Sequence, residues 1–334
     1  MSRIAVMGGG AWGTAITLSL ARRGGHSLTL WTHSPEAAAD IRASGENRAF
    51  LPGFRLPAEI AFTSDAAEAL ASAEIVVSVM PSHHVRASYE RFAPHLQAGQ
   101  ILVSATKGIE DQTYLRMSEV ICEVLRGRGL ELSYGVLSGP SFAQEVAARS
   151  PTAVTIASND AILAARAQQE FSSATLRLYT NDDAVGVELG GALKNVIAIA
   201  AGIVAGLGLG YNSTAALITR GVAEVTRLAV ACGGRRETLA GLSGLGDLVL
   251  TCTGGLSRNR WVGMELGKGR PLPEILAELQ GKVAEGVRTT SAALGLAKRY
   301  GVEMPIAEQV EAILQGRHPR QAIQELMSRP GRDE

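Results

Sequence analysis

"RIAVMGGGAWGTAITLSLARRG", residues 3–24, decides the fold. A short apolar run leads directly into Gly8-x-Gly10-x-x-Gly13, and the residues after it continue with helical spacing. In a strand–turn–helix unit the first glycine permits the tight turn. The second lets backbone approach a pyrophosphate, and the third lets the helix pack on the strand. The N-terminus of that helix then faces the phosphates with N–H groups that have no partner inside the helix. The stretch therefore predicts a dinucleotide-binding turn made by Gly8, Gly10, Ala11, Trp12 and Gly13. The alternative is a glycine turn with no ligand. Trp12, inside the turn, either covers the cofactor or packs as plain core.

Outward from this turn, short apolar runs recur at 27–32, 74–81, 101–108, 134–140, 152–158 and 176–182, with helical stretches between most of them. The runs are continuous rather than alternating, which predicts strands covered on both faces. Residues 1–182 therefore read as an α/β Rossmann domain, a doubly wound parallel sheet. After about residue 183 the strand signals stop and helical periodicity takes over, so residues 183–330 read as an all-α domain. The polar tail "SRPGRDE" is expected to fray.

Composition narrows the function. The chain has 334 residues and is 46% hydrophobic, enough for two domains with sizeable cores. Lys+Arg and Asp+Glu are both 32, so no net field draws it to nucleic acid or an anionic membrane, and any phosphate must be held by a local cluster. Three distant cysteines, Cys122, Cys232 and Cys252, show neither metal spacing nor a disulfide framework, which suggests a reducing compartment. "MSRIAVMGGG" lacks the regions of a signal peptide. The uncharged stretch 195–219 is interrupted by glycines and falls short of the roughly 20 apolar residues of a spanning helix, so it reads as buried core. A cytoplasmic protein is the expectation.

The second strand ends in Trp31, Thr32, His33 and Ser34, with no acid until Glu36. Exclusive NAD binders place an acid here for the ribose hydroxyls, and its absence permits NADP. His33 either meets a 2′-phosphate or is a solvated surface residue. Further along, Lys194 lies in "VELGGALKNVIAIAAG" with Gly190, Gly191, Ile197 and Ala198 three and four residues away, so no carboxylate shares its helical face. Asp247 in "LSGLGDLVLT" is equally isolated among apolar residues. A buried carboxylate wants a cation or donors, and helix capping is the alternative.

Together with "SATKGIE", "LSGPSFAQEVA" and "GLGDLVLTCTGGLSRNRWVG", these stretches resemble glycerol-3-phosphate dehydrogenase of the bacterial NAD(P)-dependent type, in the same order over nearly the whole chain. The resemblance implies reversible reduction of dihydroxyacetone phosphate to sn-glycerol 3-phosphate with NADP(H) or NAD(H), for phospholipid synthesis. It implies a Rossmann domain followed by a helical one, a site in the cleft between them, and a homodimer. Lys194 matches the family's proton donor and acceptor. Desolvation among glycines and aliphatics is expected to lower its pKa toward working pH, unless it snorkels to solvent. Lys107 matches a lysine that touches cofactor and substrate and can stabilise charge on the carbonyl oxygen. Asp247 is expected to face Lys194 or a substrate hydroxyl, with Thr251 on the same helical face. Asn195 matches the "KN" pair.

The same match assigns the substrate phosphate to Ser257, Arg258 and Asn259. Arginine can hold it bidentately, and Arg258 also reaches the cofactor. Gly139 and Ser141 correspond to substrate contacts, and Ala143, Val283 and Glu285 to cofactor contacts. Two departures stand out. Ala11 replaces a common serine, and His33 stands where arginine is common, so the choice between NADPH and NADH stays open. Arg48, in "GENRAFLPG", is a candidate for the missing charge. The related β-hydroxyacid dehydrogenases recognise carboxylates, whereas "GGLSRNR" and Lys107 favour a phosphate. A coenzyme sensor without catalysis would not need Lys194, Lys107, Asp247 and Arg258 together.

Overall fold

The computed structural model describes residues 1–279 and 281–331. They form two compact units: Met1–Lys107 with Leu115–Val187, and Gly108–Tyr114 with the described residues from Glu188 onward.

The first unit is built on an eight-stranded sheet in the order β3-β2-β1-β4-β5-β6-β7-β8. The strands are β1 (Ser2–Met7), β2 (His26–Trp31), β3 (Ala61–Thr63), β4 (Ile75–Ser78), β5 (Ile101–Ser104), β6 (Ser133–Ser138), β7 (Thr152–Ala157) and β8 (Leu176–Asn181). Helices α1 (Ala11–Arg23), α2 (Pro35–Ser44), α3 (Ala66–Leu70), α4 (Val85–Phe92), α5 (Met117–Arg126), α6 (Ala143–Ala147) and α7 (Ala161–Phe171) make the connections. Every neighbouring pair is parallel except β6 with β7. Two features depart from the reading of the sequence. The three-residue edge strand β3 was not foreseen, and β7 reverses direction. The connection 139–151 holds only one short helix, so the chain re-enters the sheet at the edge it has just left, which makes the pair antiparallel.

Alternation along each strand explains the continuous apolar runs. Ile4 and Val6 of β1 enter one core cluster, with Ile75, Val77, Ile101 and Val103 beside them. Ala5 and Met7 enter the cluster on the opposite face, with Val76, Leu102, Val85, Tyr89 and Phe92. Each aliphatic side chain buried this way stabilises the fold by about 1.5–3 kcal/mol relative to exposure.

The second unit is helical: α8 (Ala184–Gly206), α9 (Tyr211–Ala231), α10 (Arg236–Leu239), α11 (Asp247–Thr253), α12 (Arg258–Gly267), α13 (Leu272–Glu278), α14 (Glu285–Tyr300), α15 (Pro305–Leu314) and α16 (Pro319–Met327). Among the described residues α8 is the one single helix long and apolar enough to cross a membrane, but 89% of its most apolar stretch is buried inside the protein. It is a core helix. It approaches α12 through two glycine pairs, Gly202/Gly206 and Gly263/Gly267. A Cβ on Gly263 would sit 2.0 Å from the Ile199 carbonyl oxygen, and one on Gly202 would sit 2.0 Å from that of Arg260. Only glycine allows this backbone contact, which brings the N-terminal turn of α12 beside Asn195.

Buried Glu224 of α9 ties down α15. Its two carboxylate oxygens accept from the Ile306 and Ala307 N–H groups at 2.9 Å each. They satisfy donors at a helix start that has no side-chain cap of its own. The segment 108–114 also packs here. The Arg299 guanidinium lies 5.4 Å from the centre of the Tyr114 ring and donates to the Thr113 carbonyl at 2.7 Å. Gly295 leaves the room that the Tyr114 ring occupies.

Candidate active site

In the first unit the glycine turn is wedged between two strand ends. Gly8 donates its N–H to the Trp31 carbonyl at 3.2 Å, and a Cβ on it would sit 1.8 Å from the Val79 carbonyl oxygen. Its φ of +144° is strained for any residue with a side chain. A Cβ on Gly13 would collide with the Gly8 carbonyl, so the third glycine closes helix on turn. At Gly10 the situation differs, because a Cβ there would meet nothing within 4 Å. Gly10 caps α1 without a side-chain hydrogen bond, and the first turn of α1 carries no acid. Open space, unclaimed N–H groups and a positive helix end together fit a pyrophosphate. Trp12 packs partly against the core, and Ala11 opens the helix.

The C-terminal ends of β1, β4, β5 and β6 share one edge of the sheet, where open α/β sheets bind their ligands. Lys107 lies there, half-buried, three residues beyond β5. Gly139 and Ser141 follow β6, with the Ser141 hydroxyl donating to the Gly139 carbonyl at 2.8 Å. Ala143 begins α6, which packs on α1. His33 is exposed just beyond β2. Ser34 caps α2, accepting from Ala37 N–H at 3.1 Å. Arg48 is 65% exposed, 4.0 Å from Glu46.

In the second unit Lys194 is 7% exposed and has a partner that local spacing did not reveal. Its Nζ donates to Asp247 Oδ1 at 2.5 Å and to Thr251 Oγ1 at 2.9 Å. The Thr251 hydroxyl donates to the Asp247 backbone carbonyl at 2.6 Å, so its oxygen is turned toward the ammonium. Asp247 is 1% exposed and opens α11 after a wide turn at Leu242–Gly246. It contributes no side-chain cap, and its carboxylate serves the lysine. The ammonium sits where desolvation disfavours charge, but an adjacent carboxylate opposes that effect. Neighbouring Cys252 is buried, which pushes its thiol up to about 12, so it stays protonated.

Asn195, next along α8, accepts from the Asn259 side-chain N–H at 3.0 Å, and Asn259 Oδ1 accepts from the Gly286 N–H at 2.9 Å. Asn259 thus uses both ends of its amide within the protein and fixes which end of the Asn195 amide accepts. Ser257 caps α12 by accepting from Arg260 N–H at 3.2 Å. Arg258 follows at the first helical position. Desolvation pulls its guanidinium below the usual arginine range and the Glu285 charge opposes this. Much of its surface is nevertheless exposed, and it remains a cation. Glu285 opens α14, and Val283 is half-buried just before it.

Lys194, Asp247 and Thr251 form one cluster, and Asn195, Asn259 and the Gly286 backbone form the next. Sequence reasoning missed the Gly286 donor, which carries no side-chain signal. It also missed the two-glycine crossing, although both Gly-x-x-x-Gly spacings are visible in the chain. Among the described residues no group of histidine, cysteine and carboxylate side chains is arranged to hold a metal.

Comparison with known proteins identifies the family. Residues 3–164 match the family description "NAD-dependent glycerol-3-phosphate dehydrogenase N-terminus", and residues 183–325 match the corresponding C-terminus. The chain is 70% identical to a glycerol-3-phosphate dehydrogenase [NAD(P)+] of Acidobacterium capsulatum, with all of both chains covered. It is 61% identical to the Koribacter versatilis protein of the same name, covering 100% of this chain and 99% of that one. The crystal structure of a Coxiella burnetii glycerol-3-phosphate dehydrogenase superposes with a TM-score of 0.93 at 40% identity, covering 98% of this chain and 99% of that one.

Proposed function

The chain belongs to the NAD-dependent glycerol-3-phosphate dehydrogenase family, and from that membership we infer that it interconverts dihydroxyacetone phosphate and sn-glycerol 3-phosphate with NADPH or NADH. The product is the backbone of glycerophospholipids. We assign dinucleotide binding to residues 1–182 and substrate binding to residues 183–330.

A reduced nicotinamide, when bound, supplies the hydride to the carbonyl carbon. The protein's task is the oxygen, which gains negative charge and must take a proton. Lys194 Nζ is the donor. Asp247 keeps the ammonium charged and aimed, and Thr251 fixes a second of its three N–H directions. In the oxidation direction the same amine takes the proton back. Asn195 donates to a substrate oxygen, held in orientation by Asn259. Lys107 stabilises charge on the carbonyl oxygen. Arg258, the Ser257 hydroxyl and the start of α12 receive the phosphate, where a guanidinium fork and helix N–H groups converge. Ala143, Val283, Glu285 and His33 complete the coenzyme contacts, and Gly139 and Ser141 those of the substrate. The family resemblance supports these assignments, together with a cytoplasmic homodimer, which light scattering on the purified protein tests.

The observation that carries the reading is the buried Lys194–Asp247–Thr251 cluster, a proton source with no other evident purpose in an apolar helix. The experiment is coenzyme oxidation with dihydroxyacetone phosphate. The wild type is expected to turn over with at least one coenzyme and Lys194→Ala to lose turnover while still binding it. A wild type inactive with both coenzymes, or an active Lys194→Ala, overturns the reading.

A further inference from the structure

The loop between α2 and β3 carries a buried polar residue that the mechanism above leaves unused. Asn47 is 3% exposed, and both hydrogens of its amide are directed at the glycine turn. Nδ2 donates to the Gly9 carbonyl at 2.8 Å and to Thr14 Oγ1 at 2.8 Å. We propose that Asn47 is a positioning residue for coenzyme binding, which sets the direction of the Gly10 N–H toward the pyrophosphate by holding the Gly9 carbonyl.

The argument rests on the planar trans peptide. In the Gly9–Gly10 unit the carbonyl and the N–H point in opposite directions in one plane. Glycines on both sides leave that plane with little intrinsic preference. A fixed oxygen fixes the hydrogen. Gly10 is the cap residue of α1, with open space beside it and no side chain satisfying the helix start. Its N–H is therefore among the first donors a phosphate meets. The second bond, to Thr14, ties the same asparagine to the first turn of α1, so turn and helix are held in one register.

The loop is built to present this side chain. Its base is closed by Leu56 N–H donating to the Gly45 carbonyl at 2.8 Å, and by pairing between Glu46 and Arg55. Glu46 Oε1 accepts from Gly53 N–H at 2.6 Å across the loop. Asn47 anchors its own neighbours as well. Its backbone carbonyl accepts from Leu51 N–H at 2.8 Å and its Oδ1 from Phe50 N–H at 3.3 Å. Leu51 is fully buried beneath. Exposed Arg48, the loop residue that drew notice as a charge, has no such inward role. Asn47, one position earlier, does.

This inference rests on the dinucleotide reading of the turn, and the test separates the two. Dissociation constants are measured for NADPH and NADH by fluorescence titration, and for ADP-ribose and adenosine by competition, on the wild type and on Asn47→Ala. A Gly10 N–H no longer held toward the pyrophosphate forfeits about one hydrogen bond to it, so about a tenfold weakening is expected. It should be shared by NADPH, NADH and ADP-ribose, which all carry the pyrophosphate. Adenosine, which has no phosphate, should compete as before. Should Asn47→Ala not fold, Asn47→Leu keeps the volume and adds no charge while removing both donated bonds, and the same pattern is expected. Unchanged constants, or equal losses for adenosine and ADP-ribose, overturn the proposal. A wild type that binds none of the four overturns the dinucleotide reading itself.

Discussion

Lys194 Nζ lies 2.5 Å from Asp247 Oδ1, although the two residues are 53 positions apart and neither has a partner of opposite charge on its own helical face. Breaking a buried ion pair by removing one member typically costs about 3–5 kcal/mol. Asp247→Ala is therefore expected to lower the denaturation midpoint and to reduce turnover by roughly 10²-fold or more, since general acid catalysis contributes on that scale. Asp247→Asn keeps the shape and should recover part of the stability but little of the rate. Equilibrium unfolding and kcat measured on both variants decide it. Full activity in Asp247→Asn would remove the carboxylate from the proton-transfer cluster.

Arg258 offers a planar fork that lysine lacks. Arg258→Lys is expected to raise KM for dihydroxyacetone phosphate by roughly ten- to a hundredfold, the value of a charged bidentate bond, with a smaller loss of coenzyme affinity. Dihydroxyacetone without its phosphate is the control. If both substrates lose equally, the arginine does not read the phosphate.

The α8–α12 crossing leaves no volume at Gly263. Gly263→Ala places a methyl 2.0 Å from the Ile199 carbonyl, so the helices must separate. Overpacking of this kind costs about 1–3 kcal/mol or more. Because α12 carries Arg258 and Asn259, the substrate KM should rise along with the loss of stability. A chemical denaturation curve combined with steady-state kinetics tests both. A variant as stable as wild type, with unchanged KM, would show that the crossing does not position the site.

His26 gives the protein an acid sensitivity. Burial holds its pKa below the usual histidine value, with the Glu170 charge opposing and Arg23 reinforcing the shift. The folded state therefore binds fewer protons than the unfolded state between the folded pKa and about 6.5, so stability rises with pH through that window. Stability contributed by neutral His26 is present above about pH 6.5 and lost as pH falls. His26→Gln should flatten the difference in urea midpoint between pH 7 and pH 5.5. An unchanged slope would place the sensitivity elsewhere.

Much of the fold was legible because burial on both faces of a strand leaves a mark in the chain. Ile4, Ala5, Val6 and Met7 read as one apolar run because each has a core to enter. Strand direction leaves no such mark, so the reversal at β7 was invisible, and three residues are too few for β3 to announce itself. The site follows the same division. The glycine turn is local, and its chemistry can be read from spacing. The partner of Lys194 is not local, and the lysine looked unpaired only because Asp247 arrives from another helix. Asn259 was expected at the substrate. Its amide also engages Asn195 and Gly286, a detail that depends on which way a side chain turns.

Residues 108–114 belong to the helical unit although they are strung between β5 and α5. A C-terminal half expressed by itself from residue 183 would be missing Tyr114, and the hollow at Gly295 would open to water with Arg299 robbed of its ring. Circular permutation or dissection of this enzyme must carry that strap along, and evolutionary exchange of its two halves is constrained by the same stitch.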